Sequence, residues 1–161
     1  MKKIILLVLI GFTLKGYPMP KYNFYGNTRI FEVGYNVDNI MTILKMVESM
    51  GQSDAISPKG KYLGILQIGK VCIKEINRIY GTNYIHADAL NIIKAEEMFK
   101  LIMTKGIKYY SRIYGKPPTE EVLVRMWNGG IYNGFKSNKT IPYYQKYLRY
   151  KKKYSNHLID G

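Results

Sequence analysis

The sequence predicts a mainly α single domain, preceded by an apolar N-terminal segment and an extended arm. Three observations carry this. Apolar residues recur at three- and four-residue spacing from Val37 onward, the period of an amphipathic helix. No stretch shows the sustained alternation that a larger sheet needs. A chain of 161 residues, free of internal repeats and low-complexity tracts, suits one domain with a hydrophobic core.

Residues 1–16 open with Met1-Lys2-Lys3 and an apolar run from Ile4 to Leu14, interrupted only by Gly11 and Thr13. The run is too short for a typical membrane span, and a charged start before it reads as a secretory signal. Lys15-Gly16-Tyr17-Pro18 matches a small-residue cleavage box poorly. A retained membrane anchor or a buried N-terminal segment are therefore the alternatives. Residues 17–36, rich in Tyr, Asn, Gly and Pro, read as an extended arm. The domain proper is expected over residues 37–155.

Ile40, Met41, Ile43, Leu44 and Val47 define the first helix, with Asn36 or Asp38 able to cap its start and Gly51 to end it. A loop over 52–61 leads to an apolar run over 63–68. A second helix is predicted over 71–80, ending at Gly81. A third is predicted over 87–105, closed by Gly106, with a continuation toward Tyr114. After Pro117-Pro118, Thr119 suits an N-cap, and Glu120 and Glu121 suit the positive helix start. This helix stops at Asn128-Gly129-Gly130. In the last segment, Tyr143, Tyr147, Tyr150 and Tyr154 are spaced four, three and four apart, which aligns them on one helix face as a packed stripe with lysines in solvent.

The net charge of +14 favours polyanions: an acidic cell wall, anionic lipid or nucleic acid. An exported chain meets walls and membranes first. Bases and aromatics interleave in the last segment as they do on nucleic-acid surfaces, but helical spacing is mainly a packing signal, so no specific nucleic acid is expected. Cys72 is the only cysteine, which excludes an intramolecular disulfide and a thiolate cluster. Its apolar neighbours suggest a small buried residue. His86 and His157 are far apart and lack ligand spacing, so neither a metal nor a cofactor is implied. Gly64 to Lys70 fits the first seven positions of a phosphate-binding loop, but Val71 stands where a magnesium-binding hydroxyl is required. Ser-His-Asp hydrolysis lacks a nucleophile elbow.

Glu48 is the candidate acid. At about 100° per residue it projects between Met41 and Leu44, on the edge of the apolar face. It also lies in the last helical turn, where the dipole disfavours a second negative charge. Partial burial and the dipole both raise a carboxyl pKa, the condition for a general acid near neutrality. Glycoside cleavage ordinarily uses a second carboxylate. Asp54 is the nearest in sequence and reads better as a turn residue; the other acids fall in helix-surface or helix-start patterns.

Four pieces in order resemble the active-site framework of the soluble lytic transglycosylases and goose-type lysozymes, in the lysozyme-like superfamily. They are Glu48-Ser49, then Ser57, then Gly64-Ile65-Leu66-Gln67-Ile68, then Met126-Trp127-Asn128-Gly129-Gly130. The resemblance runs from about Asn39 to Tyr150. It implies a lysozyme-like domain with a substrate cleft, Glu48 as the catalytic residue, and Ser57, Gln67, Asn128 and Tyr147 as substrate-binding residues. Trp127 replaces the family's tyrosine, Lys59 stands where a second serine is common, and the loop before Gly64 is one residue longer. The closing segment, residues 141–148, maps the family's tyrosine to Tyr147 and is one residue short.

In such enzymes one glutamate serves as acid and then base, and the products end in 1,6-anhydro sugar. That chemistry accounts for the missing second carboxylate. The partners implied are peptidoglycan strands and, for the basic surface, anionic wall polymers. The implied location is the periplasm, cell envelope or extracellular space, with an envelope machine or a phage particle among the settings. Two alternatives stay open: a hydrolytic muramidase on the same fold, and a non-catalytic basic module that binds cell wall or nucleic acid.

Overall fold

The structure, a computed structural model, describes residues 37–159, with side chains as far as Tyr154. The signal or anchor and the arm predicted over 1–36, and any capping by Asn36, lie outside the described residues.

The first helix, α1 (Val37–Ser49), buries the five residues that its periodicity singled out: Ile40, Met41, Ile43, Leu44 and Val47. Asp38 sits within its first turn, where the helix dipole favours an anion, and pairs with Lys100 at 3.2 Å. At the other end Met50 and Gly51 both take positive φ, 57° and 83°. Their N–H groups return to the carbonyls of Met46 and Lys45, which closes the helix two residues before the loop proper.

The apolar run after this loop folds as a hairpin, β1 (Tyr62–Leu63) and β2 (Ile68–Gly69), paired antiparallel with Leu63 opposite Ile68. Its turn buries Ile65 and Leu66. Gly64 makes the turn feasible. It holds φ at 76°, and a Cβ there would sit 1.7 Å from the carbonyl oxygen of Ala89.

Helix α2 (Lys70–Tyr80) begins one residue earlier than predicted and ends as expected at Gly81, which is left-handed and returns its N–H to Asn77. The third helix starts later than predicted and runs through Gly106 to Tyr114, where its predicted continuation ends. Residues His86–Leu90 form a separate 3-10 turn, and α3 (Ile92–Tyr114) starts after Asn91, whose side chain accepts from the N–H of Lys94. Gly106 does not terminate α3. It is buried mid-helix, where Ile131 and Met126 approach so closely that a Cβ would lie 3.1 Å from each. The small residue serves helix packing, and the stop falls at left-handed Gly115.

Helix α4 (Glu120–Gly129) is capped by Thr119, which accepts from the N–H of Val122. Two 3-10 turns, Gly134–Lys136 and Asn138–Thr140, lead into α5 (Ile141–Ile159). Arg125 braces this connection, bonding the Thr140 hydroxyl, the Ser137 carbonyl and Glu121.

Helix α5 packs against both α1 and α4, while α3 packs against α2 and α4. The core between them holds Leu44, Leu66, Ile76, Met98, Phe99, Met103, Val124, Met126 and Tyr147, all essentially inaccessible. Full burial of one such aliphatic or aromatic side chain contributes about 1.5–3 kcal/mol. The domain is thus mainly α, with one short hairpin. Among the described residues, no helix is long and apolar enough to cross a membrane.

Candidate active site

Three helices bring their side chains to one carboxyl group. Glu48 is the penultimate residue of α1 and is half-buried. Its Oε1 accepts from the indole Nε1 of Trp127 on α4 at 3.0 Å, and from the hydroxyl of Tyr143 on α5 at 2.5 Å. Trp127 is held in turn by an edge contact with buried Phe99, the ring centroids 4.9 Å apart. One helical turn beyond Tyr143, Lys146 donates to the carbonyl of Val47 at 2.6 Å. That carbonyl belongs to the last turn of α1, where no intrahelical partner remains.

The surroundings of Glu48 shift it toward the protonated form relative to a free glutamate. Burial pushes the carboxyl above the usual glutamate range; the bonds from Tyr143 and Trp127 and the nearby Lys146 cation pull it down without overcoming that push. Both donors engage Oε1, so the lone pairs of that oxygen are occupied, and Oε2 is the oxygen left to carry the proton. Burial and the neighbouring Glu48 raise the Tyr143 hydroxyl well above the usual tyrosine value, so it remains a donor.

Ser49 fastens this helix end to the hairpin, its hydroxyl donating to the carbonyl of Ile65 at 2.9 Å. Ser57 and Gln67 act in the same loop region, neither with a bond to Glu48. The Ser57 hydroxyl accepts from the N–H of Tyr62 at 2.8 Å. Gln67, at φ 46°, donates its amide to the carbonyls of Ala55 and Gly64, at 3.1 and 2.9 Å. Both side chains shape the loop beside α1 and remain half-buried. Asn128 directly follows Trp127 and is exposed, and among the described residues its amide has no hydrogen-bond partner.

The structure corrects the placement of Tyr147. It is 1% exposed, in the core, with its hydroxyl directed at Glu120 rather than at Glu48. A side chain so enclosed cannot meet a substrate. Tyr143, one turn earlier on α5, is the tyrosine that reaches Glu48. The tyrosine stripe is therefore not uniformly packed: Tyr147 is buried, while Tyr143, Tyr150 and Tyr154 are half-buried.

Elsewhere, the carboxylates of the described residues are engaged away from this point. Asp38, Glu75, Asp88, Glu96, Glu120 and Glu121 are ion-paired, and Glu97 accepts from Tyr84. Asp54 is exposed in the loop after α1, and among the described residues nothing bonds it to Glu48. Cys72 is partly buried, and burial pushes its thiol up to about 12, so it is not a nucleophile at neutral pH. Among the described residues, no group of three or more His, Cys, Asp and Glu could hold a metal ion.

Two groups that contact Glu48, Trp127 and Tyr143, are absent from the site residues expected from the sequence. From the sequence Trp127 stands only as the replacement of the family's tyrosine, and Tyr143 only as part of the stripe. The signal for Trp127 is its adjacency to Asn128. No protein-family model matches this chain, and no curated protein matches it in sequence.

Proposed function

We propose that this chain is a peptidoglycan lytic transglycosylase with a lysozyme-like fold, which cleaves the β-1,4 bond between N-acetylmuramic acid and N-acetylglucosamine. One observation carries the reading: a half-buried glutamate ends a helix, has its pKa raised by burial, and has one oxygen held by two donors. Glu48 Oε2 donates its proton to the glycosidic oxygen as the bond to C1 breaks, and the leaving sugar departs with a hydroxyl. The cationic centre is stabilised by the substrate's own acetamido group. The Glu48 carboxylate then takes the proton of the 6-hydroxyl, and O6 closes on C1 to give the 1,6-anhydro end. This sequence requires one carboxylate and no cofactor.

Further support comes from the surroundings. The Trp127 and Tyr143 donors stabilise the carboxylate at the stage when Glu48 has lost its proton. Asn128 is exposed and offers one donor and one acceptor, which suits an acetamido group. Among the described residues six of the other carboxylates are ion-paired elsewhere, which suits a single-acid mechanism, and exposed Asp54 is the acid that a two-carboxylate one would have to use. The Trp127 bond to Glu48 also speaks against a chain that has kept only wall binding, since this substitution supplies a donor to the acid. Export to the cell envelope fits the same reading.

The test is release of soluble fragments from purified peptidoglycan by the full chain, beside Glu48→Gln. The reading predicts release by the wild type and none by the variant, with wall binding retained in both. Wall binding without release by either protein would reject it in favour of a non-catalytic module.

A further inference from the structure

Helix α5 has two working flanks. Tyr144, Tyr147 and Lys151 lie toward Glu120 of α4, and Lys151 is tied to that carboxylate at 2.8 Å. On the other flank, Tyr143, Lys146, Tyr150 and Tyr154 follow at three- and four-residue steps. Tyr143 meets Glu48, Lys146 meets the end of α1, and the Tyr150 hydroxyl reaches Met50 just beyond it. The row therefore begins at the candidate acid and continues away from it. From Tyr143 to Tyr154 it covers about 16 Å along the helix axis.

The second half of this row lacks the character of a core. Tyr150 and Tyr154 stack at 6.1 Å with 27° between planes, and both stay half-buried. Lys146 lies 5.8 Å from the centre of the Tyr150 ring, and Lys153 lies 5.3 Å from that of Tyr154. Arg149 and Lys152 are exposed on the same helix. Tyrosine hydroxyls suit the hydroxyls of sugars, and the lysines held beside these rings suit carboxylates. The whole chain is strongly basic, which complements an acidic polymer.

We infer that Lys146, Tyr150, Lys153 and Tyr154 form a subsite for the flanking part of the glycan strand, reading the carboxylates that the strand and its peptide stems carry. This rests on the peptidoglycan reading above. The strip extends the site from one bond to a length of strand, so it favours long acidic strands over short or neutral ones.

The experiment uses the full chain carrying Glu48→Gln, which prevents turnover, and reads binding from the fluorescence of Trp127, the single tryptophan. The ligands are long peptidoglycan strands with their stems, and the same strands with carboxyl groups converted to neutral amides. The expected result is binding of the acidic strands about tenfold tighter than of the amidated ones. Adding Lys153→Gln and Tyr154→Ala narrows that preference to about twofold. Equal binding of the two ligands by the parent overturns the subsite, and so does a preference that survives the added substitutions. Displacement of the strands by polyglycerol phosphate, with only phosphate binding lost in the variant, would assign the strip to a wall polymer instead. Failure of the wider reading is distinguishable, because then the wild type releases no fragments, whether or not strands bind.

Discussion

Gly64→Ala provides a sharp test of how the site is positioned. At φ 76° the position is left-handed, and the added Cβ would lie 1.7 Å from the Ala89 oxygen and 2.6 Å from its carbon. Relief requires the two backbones to part by more than an ångström. Ala89 and the neighbouring Leu66 are both fully buried, so little slack is present. Gly81→Ala is the matched control, with φ 65° and nothing within 4 Å of the added carbon. The backbone conformation alone costs about 1–2 kcal/mol for an L-residue. Overpacking against buried backbone adds about 1–3 kcal/mol or more at Gly64. The total of about 2–5 kcal/mol is a large fraction of a domain's stability. Urea unfolding followed by Trp127 fluorescence measures both variants. A cost at Gly64 no greater than at Gly81 would refute the close approach of the hairpin turn to Ala89. Since Ser49 is bonded to Ile65 in that turn, Gly64→Ala also disturbs the helix end that holds Glu48.

Other consequences can be checked separately. Thr140 is 3% exposed and its hydroxyl meets Arg125 and the carbonyls of Gly134 and Ser137, so Thr140→Val should cost about 1–3 kcal/mol and Thr140→Ser clearly less, by urea unfolding. Burial raises the Glu48 pKa on folding, so the native state binds that proton more tightly than the unfolded chain. Wild-type stability therefore falls as pH rises from the ordinary glutamate range through the raised value. Glu48→Gln, which keeps an acceptor for both donors, should be more stable than wild type at neutral pH, and thermal melts should show the gap closing in acid. Trp127→Phe removes a donor that lowers the Glu48 pKa while retaining a ring against Phe99. The alkaline limb of the pH–rate profile for glycan cleavage should move to higher pH; an unmoved limb, or one moved down, would contradict the assigned role.

The helices were legible where local patterning and capping coincide. Val37 to Val47 shows one clean apolar face, and Thr119 with two following acids announces α4. The stop expected at Gly106 fails, while the continuation to Tyr114 holds, because the meaning of Gly106 depends on Ile131 and Met126 arriving from elsewhere in the chain. The true start carried a local sign in Asn91, which caps α3. Within the site, Glu48 was legible because its register on α1 can be counted from neighbours. Tyr143 was not, because Tyr143 and Tyr147 share a helix face and differ only in which neighbour each meets. That choice is made by the packing of α5 between α1 and α4, a long-range arrangement with no local signature.

The most direct measurement of the central claim is mass spectrometry of the products from purified peptidoglycan, with Glu48→Gln in parallel. The account predicts fragments ending in 1,6-anhydro sugar from the wild type and none from the variant. Fragments with ordinary reducing ends would contradict it, showing that water attacks C1 and that an acid such as Asp54 must assist.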